Sequence, residues 1–147
     1  MKKRHCNLLA VPAAAVIVFS LFSGFSAGDP EYRAEALLKT RTEIFKSIIH
    51  KEISPQEAEK QLRAIEAESL LADDIMSVRE GDMQALWASS RLKVKELKKK
   101  KKFFEYYTYD GKIVSTENAS PAGSFYNIVV KEDDDEFKIT VLEPSNV

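Results

Sequence analysis

From Cys6 to Gly28 the chain carries no charged residue, and that stretch decides how much of the sequence remains to build a globular fold. It follows the basic head Lys2-Lys3-Arg4, and Leu8, Leu9, Val11, Val16, Ile17, Val18, Phe19, Leu21 and Phe22 make its apolar body. A basic head, an apolar body and then small residues is the order of a secretory signal. The head stays on the cytoplasmic side while the apolar helix enters the membrane. Ser23, Gly24, Ser26 and Ala27 supply small side chains for a signal peptidase, so cleavage is expected after Ser26 or Ala27. A spanning helix needs about 20 apolar residues, so residues 7–27 could also stay as an uncleaved anchor. Pro12 and the Ser/Gly cluster weaken that alternative. Cys6 precedes the apolar stretch, which is the wrong side for a lipid-modified cysteine. The expected division is therefore 1–27 as signal peptide (or uncleaved membrane anchor) and 28–147 as one extracytoplasmic α+β domain.

Removing the signal also removes the only cysteine. Neither a disulfide framework nor a thiol nucleophile is then available, and the domain must hold together by packing alone. About 120 residues are enough for one such core. The chain has 22 Lys+Arg and 23 Asp+Glu. Losing Lys2, Lys3 and Arg4 leaves 19 basic against 23 acidic residues, a net charge of −4. A mildly acidic domain exerts no global pull on nucleic acid. A cysteine-free exported domain fits a bacterial envelope or secreted protein better than a small eukaryotic secreted module.

Asp29-Pro30 joins a favoured N-cap residue to a proline at the first helical position. Ala34, Leu37, Leu38, Ile44, Phe45, Ile48 and Ile49 then recur at helical spacing, which predicts a helix from Glu31 to Ile53. Ser54-Pro55-Gln56-Glu57 is a capping box and starts a second helix that turns Ala58, Leu62 and Ile65 inward. A third is expected over Leu70 to Val78, ending before Gly81-Asp82. Leu86, Ala88, Ser90, Leu92 and Val94 then alternate with Trp87, Ser89, Arg91, Lys93 and Lys95, and this period of two predicts a strand over 86–97. A helical seam through Met83, Trp87, Ser90, Val94 and Leu97 competes with it.

Five lysines follow, Lys98 to Lys102, and then Phe103-Phe104-Glu105-Tyr106-Tyr107-Thr108-Tyr109. Aromatic and β-branched runs on both sides of Asp110-Gly111 predict a hairpin turning there. Asn118 to Gly123 reads as a loop. Phe125 to Lys131 and Phe137 to Leu142 read as a second strand pair, joined by Glu132-Asp133-Asp134-Asp135-Glu136, with a polar tail after it. Helices first and hairpin-connected strands afterwards is the α+β pattern, with helices on one face of a roughly four-stranded antiparallel sheet. That element order resembles the cystatin-like and nuclear-transport-factor-2-like folds. Ile53-Ser54-Pro55-Gln56-Glu57-Ala58 with Tyr109-Asp110-Gly111-Lys112-Ile113-Val114 also resembles the small exported PepSY domains. These likenesses concern architecture rather than site residues, and a fold does not imply a function.

Motifs of catalysis are missing. The glycines are scattered, and there is neither a G-x-S-x-G elbow nor an H-E-x-x-H helix. The mature chain keeps one histidine, His50, which reads as a solvated residue at a helix end. The acidic run offers Asp133, Asp134 and Asp135 as weak candidates for a hard cation. It lacks the register of a Ca²⁺ loop, and a solvated hairpin tip explains it more simply. Lys98, Lys99, Lys100, Lys101 and Lys102, with aromatics beside them, make a basic patch suited to anionic lipid headgroups or acidic wall polymers. Its plain alternative is a solvated connection between two strands, with the aromatics packing on the helices. Asn118-Ala119-Ser120 matches a glycosylation acceptor.

These readings predict a non-catalytic binding or interaction module at the cell envelope or secreted. The alternatives are a small carboxylate-dependent hydrolase working between helices and sheet, or an anchored structural envelope protein. No cofactor is expected. The expected partner is another envelope protein or an anionic surface, not nucleic acid, and the membrane enters only through residues 7–27 if they stay uncleaved.

Overall fold

The computed structural model describes residues 29–116 and 123–145. The expected signal segment and the Asn118-Ala119-Ser120 triplet lie outside the described residues. Four helices pack with a four-stranded antiparallel sheet, an α+β fold.

Helix α1 spans Pro30–Ile49, and Asp29 Oδ1 accepts from the Glu31 amide at 3.1 Å to cap it. Its last helical residue is Ile49, four residues earlier than its apolar spacing predicts, and Lys51 just beyond it turns the backbone to φ 59°. His50 is exposed at that end. Helix α2 spans Pro55–Ile65, with Ser54 Oγ accepting from the Glu57 amide at 3.2 Å. Helix α3 spans Glu68–Glu80 and stops at Gly81, whose φ of 65° is the left-handed cap that glycine supplies at least cost.

Helix α4, Met83–Ser90, corrects the strand expected over 86–97. Asp82 Oδ1 accepts from the amides of Gln84 and Ala85, both at 3.1 Å, so the residue that follows one helix also starts the next. Leu86 and Ser90, one turn apart, are its buried positions. The alternation of 86–90 was helical spacing sampled too briefly to tell apart from a strand, and the strand begins only at Leu92.

The strands are β1 (Leu92–Phe103), β2 (Tyr106–Ser115), β3 (Ser124–Asp133) and β4 (Glu136–Pro144), in the order β1-β2-β3-β4. Two further expectations fall here. Lys98–Lys102 is the second half of β1 rather than a connection between strands. Asp110-Gly111 is not a turn: it lies mid-β2, with Gly111 opposite Leu97 on one side and Tyr126 on the other. A Cβ on Gly111 would stand 2.5 Å from Ile128 Cδ1, so glycine is there to let Ile128 close over the strand. The chain turns instead at Phe104-Glu105, with Phe104 at φ 51°. The stretch Tyr109–Val114 that carried half of the PepSY likeness is thus strand interior. The β3–β4 turn falls where the acidic run predicts it, at Asp134 (φ 46°) and Asp135 (φ 66°), a conformation aspartate tolerates.

Along β2 every second residue is buried: Tyr107, Tyr109, Gly111 and Ile113. They meet Ile128, Val130, Phe137 and Ile139 from the neighbouring strands and Leu38, Phe45, Leu62 and Ile65 from the helices. Each fully buried apolar side chain of this size contributes roughly 1.5–3 kcal/mol, so the core needs no covalent staple. The link between α2 and α3 lies along β4, where Glu66 bridges Ile139 and the Ala67 amide donates to the Ile139 carbonyl at 3.0 Å. That covers part of the β4 edge and leaves the lysine-rich β1 at the other margin of the sheet. Among the described residues no helix is long and apolar enough to cross a membrane.

Candidate functional site

The least expected polar feature is in the interior. Arg41 on α1 donates through Nε to Glu66 Oε1 at 2.8 Å, and its Nη2 stands 2.5 Å from Asp74 Oδ2 on α3. Its guanidinium also lies 4.7 Å from the centre of the Phe45 ring. One cation faces two carboxyls, both buried. Burial first, and then the charge of Asp74, pushes the Glu66 carboxyl up to about 9, against the pull of Arg41. The protonated form of Glu66 is thereby favoured in the fold. A raised carboxyl is also the mark of a general acid. Here, however, neither carboxyl lines the cleft that Arg41 reaches.

That cleft, of about 410 Å³, runs between α1 and the β1 side of the sheet. Leu38, Leu92, Val94, Ile113 and Leu142 line it, and Arg41 reaches it while Glu66 and Asp74 do not. Its acids are Glu35 and Glu43, eight residues apart on α1 and so about 12 Å along the axis. Glu43 is tied to Lys46 at 2.7 Å. A pair so separated does not flank one scissile bond in the way that acid–base hydrolysis needs.

The third place is the β1–β2 hairpin. A bulge between Lys99 and Lys101 lets Lys100 step out of register, and its Nζ lies 3.4 Å from Asp110 Oδ2. Lys99 and Lys102 sit over the Tyr107 ring at 5.2 and 4.5 Å. Lys102 Nζ donates to the Tyr107 hydroxyl at 2.6 Å, and that hydroxyl donates to Glu132 Oε2 at 2.7 Å. The Tyr107 contact, with Glu132 behind it, raises Lys102 further above its already basic value. Lys101 sits 5.6 Å from the centre of the Phe103 ring. Five ammonium groups thus follow one margin of the sheet, and only Lys100 and Lys102 have carboxylates within 4 Å among the described residues. At the tip Phe103 and Phe104 meet edge to face, with ring centres 4.6 Å apart, while remaining 61% and 79% exposed.

The structure thus brings all five predicted lysines onto one strand, next to the aromatics. It divides those aromatics: Tyr107 and Tyr109 pack inward as expected, whereas Phe103 and Phe104 do not. Asp133, Asp134 and Asp135 lie at the neighbouring hairpin tip. Among the described residues no group of three or more His, Cys, Asp or Glu side chains could hold a metal ion. The Arg41–Glu66–Asp74 cluster had no local signal, since its members are 25 and 33 residues apart. The exposed tip was missed because Phe104-Glu105 has none of the usual turn residues. Comparison of the chain with protein-family models, with curated proteins and with solved structures finds no match.

Proposed function

We propose that the chain is an exported, non-catalytic binding module whose contact element is the β1–β2 hairpin, and that its partner is an anionic surface outside the cytoplasm. The observation that carries this reading is the lysine run itself, held as one charged margin in a domain whose net charge is −4 without its first residues. A positive strip on an acidic body has to act locally, and exposed charges are felt over roughly 8 Å at physiological ionic strength. The buried state of Glu66 and Asp74 and the spacing of Glu35 and Glu43 weigh against carboxylate hydrolysis. For the fold we keep the cystatin-like likeness, because a 20-residue first helix lies with a four-stranded meander.

The test is retention on a soluble or immobilised polyanion at low salt. The wild-type domain should be held and released as salt rises, and replacing Lys98–Lys102 by glutamine should abolish retention. Exposed pairs such as Lys100–Asp110 contribute no more than about 1 kcal/mol, so the melting temperature should hardly move. Retention that survives the five substitutions would rule the strip out as the contact.

A further inference from the structure

We propose that the hairpin end of the sheet is a membrane-docking face, with Phe103 and Phe104 entering the interface of an anionic bilayer and Lys98–Lys102 meeting its headgroups. This rests on the anionic-surface reading and names the surface.

The tip selects between partners. Phe104 holds φ 51°, a region that a bulky residue adopts only at a cost, and its ring meets the likewise exposed Phe103 rather than the core, remaining 79% exposed. The other turn at this end meets the same backbone need with Asp134-Asp135, the solution a merely soluble tip would use. An acidic polymer supplies charge but no apolar layer for two adjacent phenyl rings. A bilayer supplies both, in the order in which the hairpin presents them. At about 3.3 Å per residue the lysines trail the tip by up to about 16 Å. Interfacial side chains enter the headgroup boundary by roughly 5–10 Å, so the lysines nearest the tip fall at headgroup level. Their long stems let the ammonium groups adjust to it.

The direction of α1 points the same way. Glu31 Oε1 accepts from the Lys99 amide at 3.0 Å, and Thr42 Oγ1 donates to the Leu92 carbonyl at 3.2 Å. Helix α1 therefore runs antiparallel to β1, so the described chain begins at Asp29 on the hairpin side of the domain.

One feature of this end opposes docking. The acidic β3–β4 turn projects in the same direction, since Tyr106 pairs with Lys131 and the two turns follow at adjacent strand ends. Glu132, Glu105 and Glu136 are offset by Lys102, Lys131 and Lys138 at 3.4–3.6 Å. Asp133, Asp134 and Asp135 have no such partner among the described residues. Their repulsion tilts the domain so that β1 lies toward the lipid and β4 away from it.

The experiment uses the chain from Gly28 onward, in which the core of the described residues runs from Ala34 to Ile139. Vesicles are phosphatidylcholine, with or without phosphatidylglycerol. Binding should require phosphatidylglycerol and fade with salt. Phe103→Ser with Phe104→Ser should weaken it on the order of tenfold, leaving polyanion retention and the melting curve unchanged. In a Trp87→Phe background, Phe104→Trp should shift its emission to the blue on vesicle addition, a reading that does not depend on removing the tip. Asp133, Asp134 and Asp135 changed together to asparagine should tighten binding. Polyanion retention intact, with vesicle binding indifferent to the phenylalanines and no blue shift, would overturn the bilayer inference and leave the anionic-surface reading standing. Loss of both polyanion and vesicle binding would overturn that reading as well.

Discussion

Gly111 and Glu66 show how far single residues depend on neighbours that are remote in sequence. Asp110-Gly111 has the chemistry of a tight turn, yet the glycine serves the opposite end, a straight strand under a crowded neighbour. Its replacement should therefore act through overpacking. Gly111→Ala is expected to cost roughly 1–3 kcal/mol in a urea titration, and Ile128→Val should recover part of that because it removes the methyl group in the way. Strictly additive effects in that double-mutant cycle would contradict the close approach. Glu66 gives a pH dependence. Its carboxyl binds a proton more tightly folded than unfolded, so its contribution is complete below the ordinary glutamate range. That contribution is lost as pH rises toward about 9. The wild-type domain should lose stability over that interval, and Glu66→Gln should flatten the loss. An unchanged alkaline slope in the variant would place its origin elsewhere. Neither role was legible from the sequence, since Ile128, Asp74 and Arg41 are chosen by tertiary packing.

At the level of elements, legibility followed local chemistry. Helices α1 and α2 were readable because Asp29-Pro30 and Ser54-Pro55 announce their starts with side chains that bond their own amides. Helix α4 was not, because eight residues hold little more than two turns, and Leu86 to Ser90 fits either period. The β3–β4 hairpin was legible from its polar turn between apolar runs. The β1–β2 hairpin was misplaced by six residues because the turn carries phenylalanine. Strand β1 also shows why the lysines suit an edge: charge at an edge strand discourages another strand from adding to it. Replacing Lys98–Lys102 by threonine should therefore remove anionic binding and also produce concentration-dependent association in sedimentation. Replacement by glutamate should remove binding while the domain stays monomeric. Equal association of both variants would show that β1 is not guarded by its charge.

The whole sequence sets a basic head and an uncharged stretch from Cys6 to Gly28 ahead of a body whose described core runs from Ala34 to Ile139. Two consequences follow from that division. The described core residues form one cluster drawn from both helices and sheet, so the chain from Gly28 should unfold in one cooperative step. A leader with a basic head and small residues at its end should also direct export. Fractionation should then find the chain outside the cytoplasm, with its N-terminus near Ala27 or Gly28 if it is cleaved, or with the leader intact in the membrane if it is not. The two fates differ in what the hairpin must do. An anchored domain is confined near lipid already, and weak contacts at Phe103 and Phe104 then act at high effective concentration. A released domain has only the hairpin, so substituting the lysines should move it from the membrane fraction to the soluble one. In the anchored form the same substitutions should leave its fractionation unchanged. A full-length cytosolic product would refute export and, with it, the access to an outer anionic surface on which the functional reading depends.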